Sequence, residues 1–223
     1  PPWAGTMGRR LIAVNFDYSD DQKFLKNEAR KFLDGNCTSA HVRKVLDNAE
    51  LSYDADLWKG VGAQGWLGAA IPEEHGGLGL GRVELCAIAE ELGRACAPIP
   101  FASTVYFLAE ALMLAGSDAQ KAKWLPKIAA GELIGAFATS EGPGVVNAAN
   151  LQANVVGGKL TGVKIPVTDG DIADLAVVLA NSLRQKQASG VVLQAGGAAA
   201  LGGPNSAHGA SVGKILHESF TDG

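Results

Sequence analysis

The feature that most constrains this fold is a change of hydrophobic period partway along the chain. From about Asp17 to Ala130 the apolar residues recur at helical spacing, whereas after Gly131 they form short runs bounded by Gly, Pro, Asn or Asp. Helices followed by strands, rather than alternating with them, are typical of α+β proteins. The sequence therefore predicts an N-terminal all-α helical domain over residues 11–130 and a small antiparallel β-barrel domain over residues 131–223.

The helical half carries recognisable start and stop signals. Ser19 with Gln22, and Ser117 with Gln120, have the spacing of capping boxes, and Gly35 is expected to end the first helix. We predict five or six amphipathic helices. The apolar stripes of two of them comprise Leu85, Ile88, Ala89, Leu92 and Cys96, and then Val105, Leu108, Ala109, Leu112 and Ala115.

The second half reads as short strands. Gly157-Gly158 separates two short apolar runs and predicts a two-residue hairpin turn, and the runs at 133–140 and 172–180 predict further strands. Residues 187–213 differ, because these 27 residues include 14 Gly or Ala and no charged side chain. They can add little to a core. A flexible linker, a poorly packed strand pair and an out-of-frame sequence all remain open.

Composition and charge exclude several classes of function. The net charge of −4 gives no electrostatic reason to expect nucleic acid or an anionic membrane as a partner. No uncharged apolar run reaches the roughly 18–20 residues of a membrane span. The chain opens without a secretory signal pattern, and its three cysteines fit neither a disulfide framework nor a zinc site. We therefore expect a cytoplasmic protein with reduced, mostly buried cysteines.

Generic catalytic motifs are absent from the sequence. The four histidines are scattered and are expected at the surface or in loops, and neither a catalytic triad nor metal-ligand spacing is evident. The run Gly76–Gly81 matches a dinucleotide-binding GxGxxG pattern only loosely, since no long strand precedes it, and it favours a loop before a helix. We assign no catalytic residue and no metal site from the sequence.

Several segments, in order, resemble the acyl-CoA dehydrogenase family over roughly residues 16–181. The segments that carry the resemblance are WLGAAIPEEHGGLGLG at 66–81, EELG at 90–93, QKAKWLPKIAAGE at 120–132, FATSE at 137–141, GVK at 162–164 and IADLAVV at 172–178. The resemblance implies a helical domain, a middle β-barrel and a C-terminal four-helix bundle. It also implies FAD as cofactor and an acyl-CoA thioester as substrate.

The resemblance further implies FAD-dependent α,β-dehydrogenation, an electron-transfer acceptor, and a homo- or hetero-oligomer of acyl-CoA dehydrogenase subunits. Ser140 stands where the family places a hydroxyl against the flavin, Phe137 and Thr139 supply neighbouring contacts, and Thr168 supplies another hydroxyl. Without the family, Ser140 and Thr168 are ordinary strand residues. Glu141 belongs to the same motif, and we expect it to be structural.

The sequence departs from the family at two positions and in length. Val146 replaces a Ser that helps to bind phosphate or CoA, and Pro166 replaces an aromatic residue that packs on the flavin. The family's bundle, which carries the catalytic Glu, would follow the β domain, so no residue here is assigned as the α-proton base. We also expect the isolated chain to expose apolar surface that would otherwise pack against that bundle.

Three functions remain open at this point. The first is a partial or truncated acyl-CoA dehydrogenase, inactive alone, which Ser140 and Thr168 favour. The second is a non-catalytic subunit that pairs with an active homologue, which Val146 and Pro166 favour. The third, a ligand-binding module without redox chemistry, has no positive support in the sequence.

Overall fold

A computed structural model describes residues 17–146, 150–156, 159–182 and 187–194. A helical unit comes first and a sheet second, as the periodicity predicted. Between the helices, short 3₁₀ turns at Trp66–Gly68 and Glu73–His75 shape the loop before α4. The helices of the described part are α1 (Asp20–Asn36), α2 (Ser39–Leu46), α3 (Ala55–Ala63), α4 (Arg82–Arg94), a π-helix (Ala102–Ala109), α5 (Glu110–Ala115) and α6 (Asp118–Ala129).

The predicted capping boxes are confirmed at both sites. The Ser19 hydroxyl accepts the Gln22 N–H while the Gln22 side chain accepts the Ser19 N–H, and Ser117 and Gln120 do the same at the start of α6. The predicted stop at Gly35 is one residue early, because α1 runs to Asn36 and Cys37 closes it with an N–H bond to the Leu33 carbonyl.

A buried charge cluster ties α1 to α4. The Glu91 side chain is only 1% exposed and accepts hydrogen bonds from Arg30 at 2.9 and 3.0 Å and from Arg94 at 2.6 Å. Arg94 also pairs with Asp34 at 2.7 Å. The Arg30 hydrogen bond, opposed by burial and reinforced by Arg94, holds the pKa of Glu91 below its usual value. A charge this buried is tolerated because two guanidinium groups satisfy it.

The strands are β1 (Gly135–Ala138), β2 (Asn154–Val156), β3 (Lys159–Thr161), β4 (Leu175–Ser182) and β5 (Gln187–Gln194). The central strand, β4, pairs in parallel with β1 along its first half and with β2 near its end, and it pairs antiparallel with β5. The sheet is therefore mixed, and the prediction that all its strands pair antiparallel was wrong. Two strands can pair in parallel only when a long connection brings the chain back to run in the same direction. Residues 139–174 provide this connection between β1 and β4, and residues 157–174 provide it between β2 and β4.

Two local predictions of the β half can be compared with the structure. Strands β2 and β3 pair antiparallel, with Val156 opposite Lys159, so the hairpin is confirmed. Its two glycines lie outside the described residues, as does much of the Gly/Ala-rich segment. The cysteine prediction is wrong for two residues: Cys37 is buried, but Cys86 and Cys96 are exposed. Cys96 follows the end of α4 in a left-handed conformation (φ 50°), which turns it out of the predicted stripe.

The two halves have cores of different side-chain size. The helical core includes large residues such as Leu33, Trp58, Leu67 and Ile88. A separate cluster within the sheet consists of six alanines and one valine, namely Ala136, Ala138, Ala153, Ala173, Ala176, Ala180 and Val178. Because alanine buries little area, this cluster gains little from apolar burial, whereas Leu175 and Val177 of β4 pack in a separate cluster with large side chains of the helices.

Candidate functional site at the end of strand β1

The four predicted cofactor contacts lie on two segments that the structure brings together. Phe137 is in β1, Thr139 and Ser140 follow it directly, and Thr168 lies in the turn before β4. The Ile165 N–H donates to the Ser140 carbonyl at 2.9 Å, and Glu141 pairs in parallel with Ile165. The chain leading to Thr168 therefore runs beside the end of β1.

A lysine–glutamate pair fixes this junction. Lys164 Nζ lies 2.8 Å from Glu141 Oε1 and 3.1 Å from the Thr139 carbonyl oxygen, and its side chain is only 8% exposed. Glu141 also accepts the backbone N–H groups of Gln152 at 2.7 Å and Ala153 at 2.8 Å. Burial raises the pKa of Glu141, but Lys164 and the two amides outweigh it and leave the pKa below its usual value. These contacts give Glu141 the structural role that the sequence predicted.

The side chains of the predicted contacts differ in exposure. Phe137, Thr139 and Ser140 are half-buried, whereas Thr168 is exposed. Ser140 Oγ donates to the Gly142 carbonyl at 3.0 Å. After Ser140 the chain has room around it, because a Cβ placed on Gly142 or Gly144 would meet no atom within 4 Å. The backbone that follows Ser140 is therefore not packed against other described residues at these two positions.

One face of the π-helix contacts both segments of the site. Thr104 Oγ1 accepts the Gly135 N–H at 2.9 Å, and Ser103 Oγ donates to Asp169 Oδ2 at 2.5 Å. Phe107 stacks on Phe137, with ring centroids 6.2 Å apart and planes 7° from parallel. These helix residues were not predicted from the sequence, although two adjacent hydroxyls directly before an apolar helical stripe were a usable signal.

The two departures from the family pattern lie on the segments that follow Glu141 and Ile165. Pro166 is exposed and presents no aromatic ring, and Val146 is half-buried and offers no side-chain hydrogen bond. Val163 and Ile165 are also more than half exposed, at 56% and 59%. Apolar side chains therefore take the place of polar and aromatic ones around the predicted contacts.

The glycine-rich loop does not form a phosphate cradle. The N–H groups of Leu78, Gly79 and Leu80 donate to carbonyls of residues 68–71 at 2.8–2.9 Å. A Cβ on Gly77 would lie 2.0 Å from the Ile71 carbonyl oxygen, so this glycine is needed for close packing of the loop. These N–H groups already donate to backbone carbonyls, so they are not available to bind a phosphate. The glycines of this run serve the packing of the loop and not a dinucleotide site.

A concave feature lies between α4 and the π-helix. This cavity of about 410 Å³ is lined mainly by apolar groups, with Cys86, Ala89, Tyr106 and Met113 among them. Burial, with a smaller contribution from Cys86, raises the pKa of Tyr106 to about 12. The lining residues do not include the four predicted cofactor contacts, so the cavity is distinct from the junction at β1.

Two other kinds of feature are absent from the residues that the structure describes. No group of three or more His, Cys, Asp or Glu is arranged to hold a metal ion. No helix in the described ranges combines the length and apolar character needed to cross a membrane.

The architecture defines a class of protein: a helical unit docked on a mixed sheet, with a hydroxyl-bearing junction where they meet. Residues 19–132 match the family described as "Acyl-CoA dehydrogenase, N-terminal domain". This match covers more than half of the chain, and the chain therefore belongs to the acyl-CoA dehydrogenase family.

Individual relatives agree with this assignment. The chain is 34% identical over 171 residues to the mitochondrial isovaleryl-CoA dehydrogenase of Solanum tuberosum, covering 74% of this chain and 41% of the relative. It resembles the ChsE4-ChsE5 complex of Mycobacterium tuberculosis (TM-score 0.72, 29% identity, 82% of this chain, 49% of that one). It also resembles a Bacillus anthracis acyl-CoA dehydrogenase complexed with FAD (TM-score 0.66, 28% identity, 80% of this chain, 31% of that one). The chain spans less than half the length of these relatives.

Proposed function

We propose that the junction at the end of β1 is one wall of an FAD site in an acyl-CoA dehydrogenase. The observation that carries the proposal is the hydrogen bond from Ile165 N–H to the Ser140 carbonyl, which holds the two hydroxyl-bearing segments side by side. A Cβ on Gly142 would meet no atom within 4 Å, so the backbone beside Ser140 is accessible, as a wall that contacts a planar ring must be. A similar protein binds FAD, as its structure is described as complexed with that cofactor.

In this proposal each predicted residue has a distinct task. Thr168 presents a hydroxyl that can donate a hydrogen bond to a ring atom where negative charge develops. Ser140 can do the same once its hydroxyl turns away from the Gly142 carbonyl, to which it donates at 3.0 Å. Phe137 offers an aromatic surface backed by Phe107, and Thr139 flanks it. When bound, FAD would supply the two-electron acceptor for the hydride that leaves the acyl β-carbon. Lys164 and Glu141 hold the wall in place through their ion pair.

We assign the reaction as α,β-dehydrogenation of an acyl-CoA thioester, with electrons passed on to a separate electron-transfer acceptor. No carboxylate among the described residues is assigned as the α-proton base. The proposal places this base in sequence that the relatives have beyond the matched region, or on a partner subunit. Assembly with other acyl-CoA dehydrogenase subunits, identical or different, is part of the same proposal.

A second candidate function is a non-catalytic subunit that pairs with an active homologue. The specific observations in its favour are Pro166, which is exposed and has no ring to stack, and Val146, which has no hydroxyl. The structural similarity to a complex of two named components adds to this candidate. This function requires the same fold but no bound flavin on this chain.

Titration of the purified chain with FAD tests both functions, with flavin fluorescence and the visible absorption band as measurements. We expect saturable binding, and roughly fivefold weaker binding for Ser140→Ala and for Thr168→Ala, since each loses about one hydrogen bond. Thr161→Ala is the matched control, because Thr161 is an exposed residue of β3. A folded chain that does not bind FAD would contradict the first function and support the second.

A further inference from the structure

We propose that Ser103 and Thr104 are positioning residues that set the separation between the two halves of the flavin-facing wall. This inference rests on the proposed FAD site and adds a role for the π-helix that the family match does not assign. The two residues are adjacent, and they are 1% and 0% exposed. Buried hydroxyls need hydrogen-bond partners, and both partners here lie on segments of the wall.

Thr104 fixes the strand half of the wall. Its Oγ1 accepts the N–H of Gly135, the first residue of β1, at 2.9 Å. At this point the strand lies directly against the π-helix, because a Cβ on Gly135 would fall 2.1 Å from Leu108 Cδ2. Two residues further along, Phe137 stacks on Phe107 of the same helix. The hydrogen bond to Thr104, the contact with Leu108 and the stacking on Phe107 therefore fix the position of β1 on the helix. Thr139 and Ser140 directly follow this strand.

Ser103 fixes the turn half of the wall. Its hydroxyl has one hydrogen to donate, and Asp169 Oδ2 at 2.5 Å is closer than the Pro100 carbonyl at 3.2 Å. Asp169 has a φ of 55°, a left-handed conformation that is uncommon outside glycine but that Asp tolerates in turns. Asp169 directly follows Thr168, so the bond from Ser103 holds the backbone that presents the Thr168 hydroxyl.

The two contacts act together because they come from neighbouring residues of one helix. One peptide unit of the π-helix links the anchor of β1 to the anchor of the turn. At the other end of the wall, the hydrogen bond from Ile165 to Ser140 joins the same two segments. Ties at both ends leave the wall little freedom to open or close. A wall held this way needs less ordering when a ligand binds, which favours affinity.

Flavin affinity measures this role directly. We expect Thr104→Val and Ser103→Ala each to weaken FAD binding by the full chain roughly fivefold, although neither residue belongs to the proposed flavin contacts. Thr104→Ser keeps the acceptor oxygen and should bind within roughly twofold of the unmodified chain. Ser117→Ala is the matched control: it removes the cap of α6 and so lowers stability, but it should leave FAD affinity unchanged.

Hydrogen exchange of the flavin-free chain gives a second measurement that does not need FAD. Amides of β1 and of residues 167–170 should exchange faster in Thr104→Val and Ser103→Ala, but not in Ser117→Ala. If the unmodified chain binds no FAD, the proposed FAD site fails, whereas the exchange result still supports or contradicts the positioning role. Unchanged exchange in both variants, or a loss of FAD affinity in Ser117→Ala equal to theirs, would overturn the role of Ser103 and Thr104.

Discussion

The helical unit and the sheet are stabilised by different kinds of contact. The helices bury large side chains such as Leu33 and Trp58, whereas the cluster inside the sheet is almost entirely alanine. The sheet compensates with directional polar contacts, including the Lys164–Glu141 pair and a bond from Ile134 N–H to Asp174 Oδ2 at 2.9 Å. Apolar packing tolerates small shifts, but hydrogen bonds do not. The helical half has directional contacts as well, in the Glu91 cluster, but there they add to a core of large side chains, whereas the alanine cluster of the sheet depends on them more.

Truncation of core side chains should give the largest change in stability, and the change should differ between the helical unit and the sheet. Leu33→Ala should lower the free energy of unfolding by about 3 kcal/mol, because Leu33 is fully buried among large side chains. Ala176→Gly in β4 should cost only about 1 kcal/mol, mainly through backbone entropy. Urea denaturation followed by circular dichroism measures both. Equal costs for the two changes would contradict the contrast between the cores.

The polar contacts of the sheet can be tested through Lys164. Lys164→Met should cost about 2 kcal/mol, since it leaves the Glu141 carboxylate, only 17% exposed, without its cation. Lys31→Met is the matched control: Lys31 is 72% exposed and pairs with Glu28 on the surface, so its loss should cost under about 0.5 kcal/mol. The denaturant midpoints of the two variants, compared with that of the unmodified chain, measure these losses. Equal losses of stability in Lys164→Met and Lys31→Met would show that the junction does not depend on the Lys164–Glu141 pair.

Acid should weaken the charge cluster of the helical half in a predictable direction. The folded pKa of Glu91 is lowered, so its contribution to stability is present above the ordinary carboxyl pKa of about 4.3 and is lost as the pH falls through the folded value. Glu91→Gln should therefore cost about 2 kcal/mol near neutral pH, and the difference should shrink on acidification. Glu28→Gln, at a 45% exposed position, is the control. If the stability difference between the unmodified chain and Glu91→Gln did not change with pH, the ionised Glu91 carboxylate would not be the source of this stability.

Surface substitutions should have the smallest effect on stability but a clear effect on association. Val83 on α4 and Leu114 on α5 are 50% and 72% exposed, and they give the helical unit exposed apolar side chains. Val83→Lys with Leu114→Lys should change the free energy of unfolding by less than about 0.5 kcal/mol. Static light scattering and binding of a hydrophobic dye should both decrease. An unmodified chain that is already monomeric and binds no dye would contradict this expectation.

Sequence reasoning was most successful where local chemistry determines structure. Capping at Ser19 and Ser117, and the amphipathic stripes, depend on residues three or four positions apart, which a sequence displays directly. The mixed pairing of β4 was missed, because strand partners distant in sequence leave no periodic signal. The order of helices then strands still gave the correct fold class.

The site shows the same limit. Recurring motifs placed Phe137, Thr139, Ser140 and Thr168 on two segments, but nothing local showed which contacts hold those segments together. Ser103 reaches Asp169 across 66 positions in sequence, and Lys164 reaches Glu141 across 23. Such pairs depend on the folded path of the chain. The roles of Phe137, Thr139, Ser140 and Thr168 toward flavin are predictions that the FAD titration tests.

The parallel pairing of β1 with β4 has a consequence for synthesis of the protein. Gly135 pairs with Leu175, 40 positions later in the sequence. At ribosomal rates of about 5–20 residues per second, β1 emerges from the ribosome roughly 2–8 s before its partner strand. During that interval the helices can already pack, whereas β1 offers an unpaired edge to other chains. Until β4 appears, this edge can pair with another chain, and the four-residue length of β1 keeps the exposed edge short.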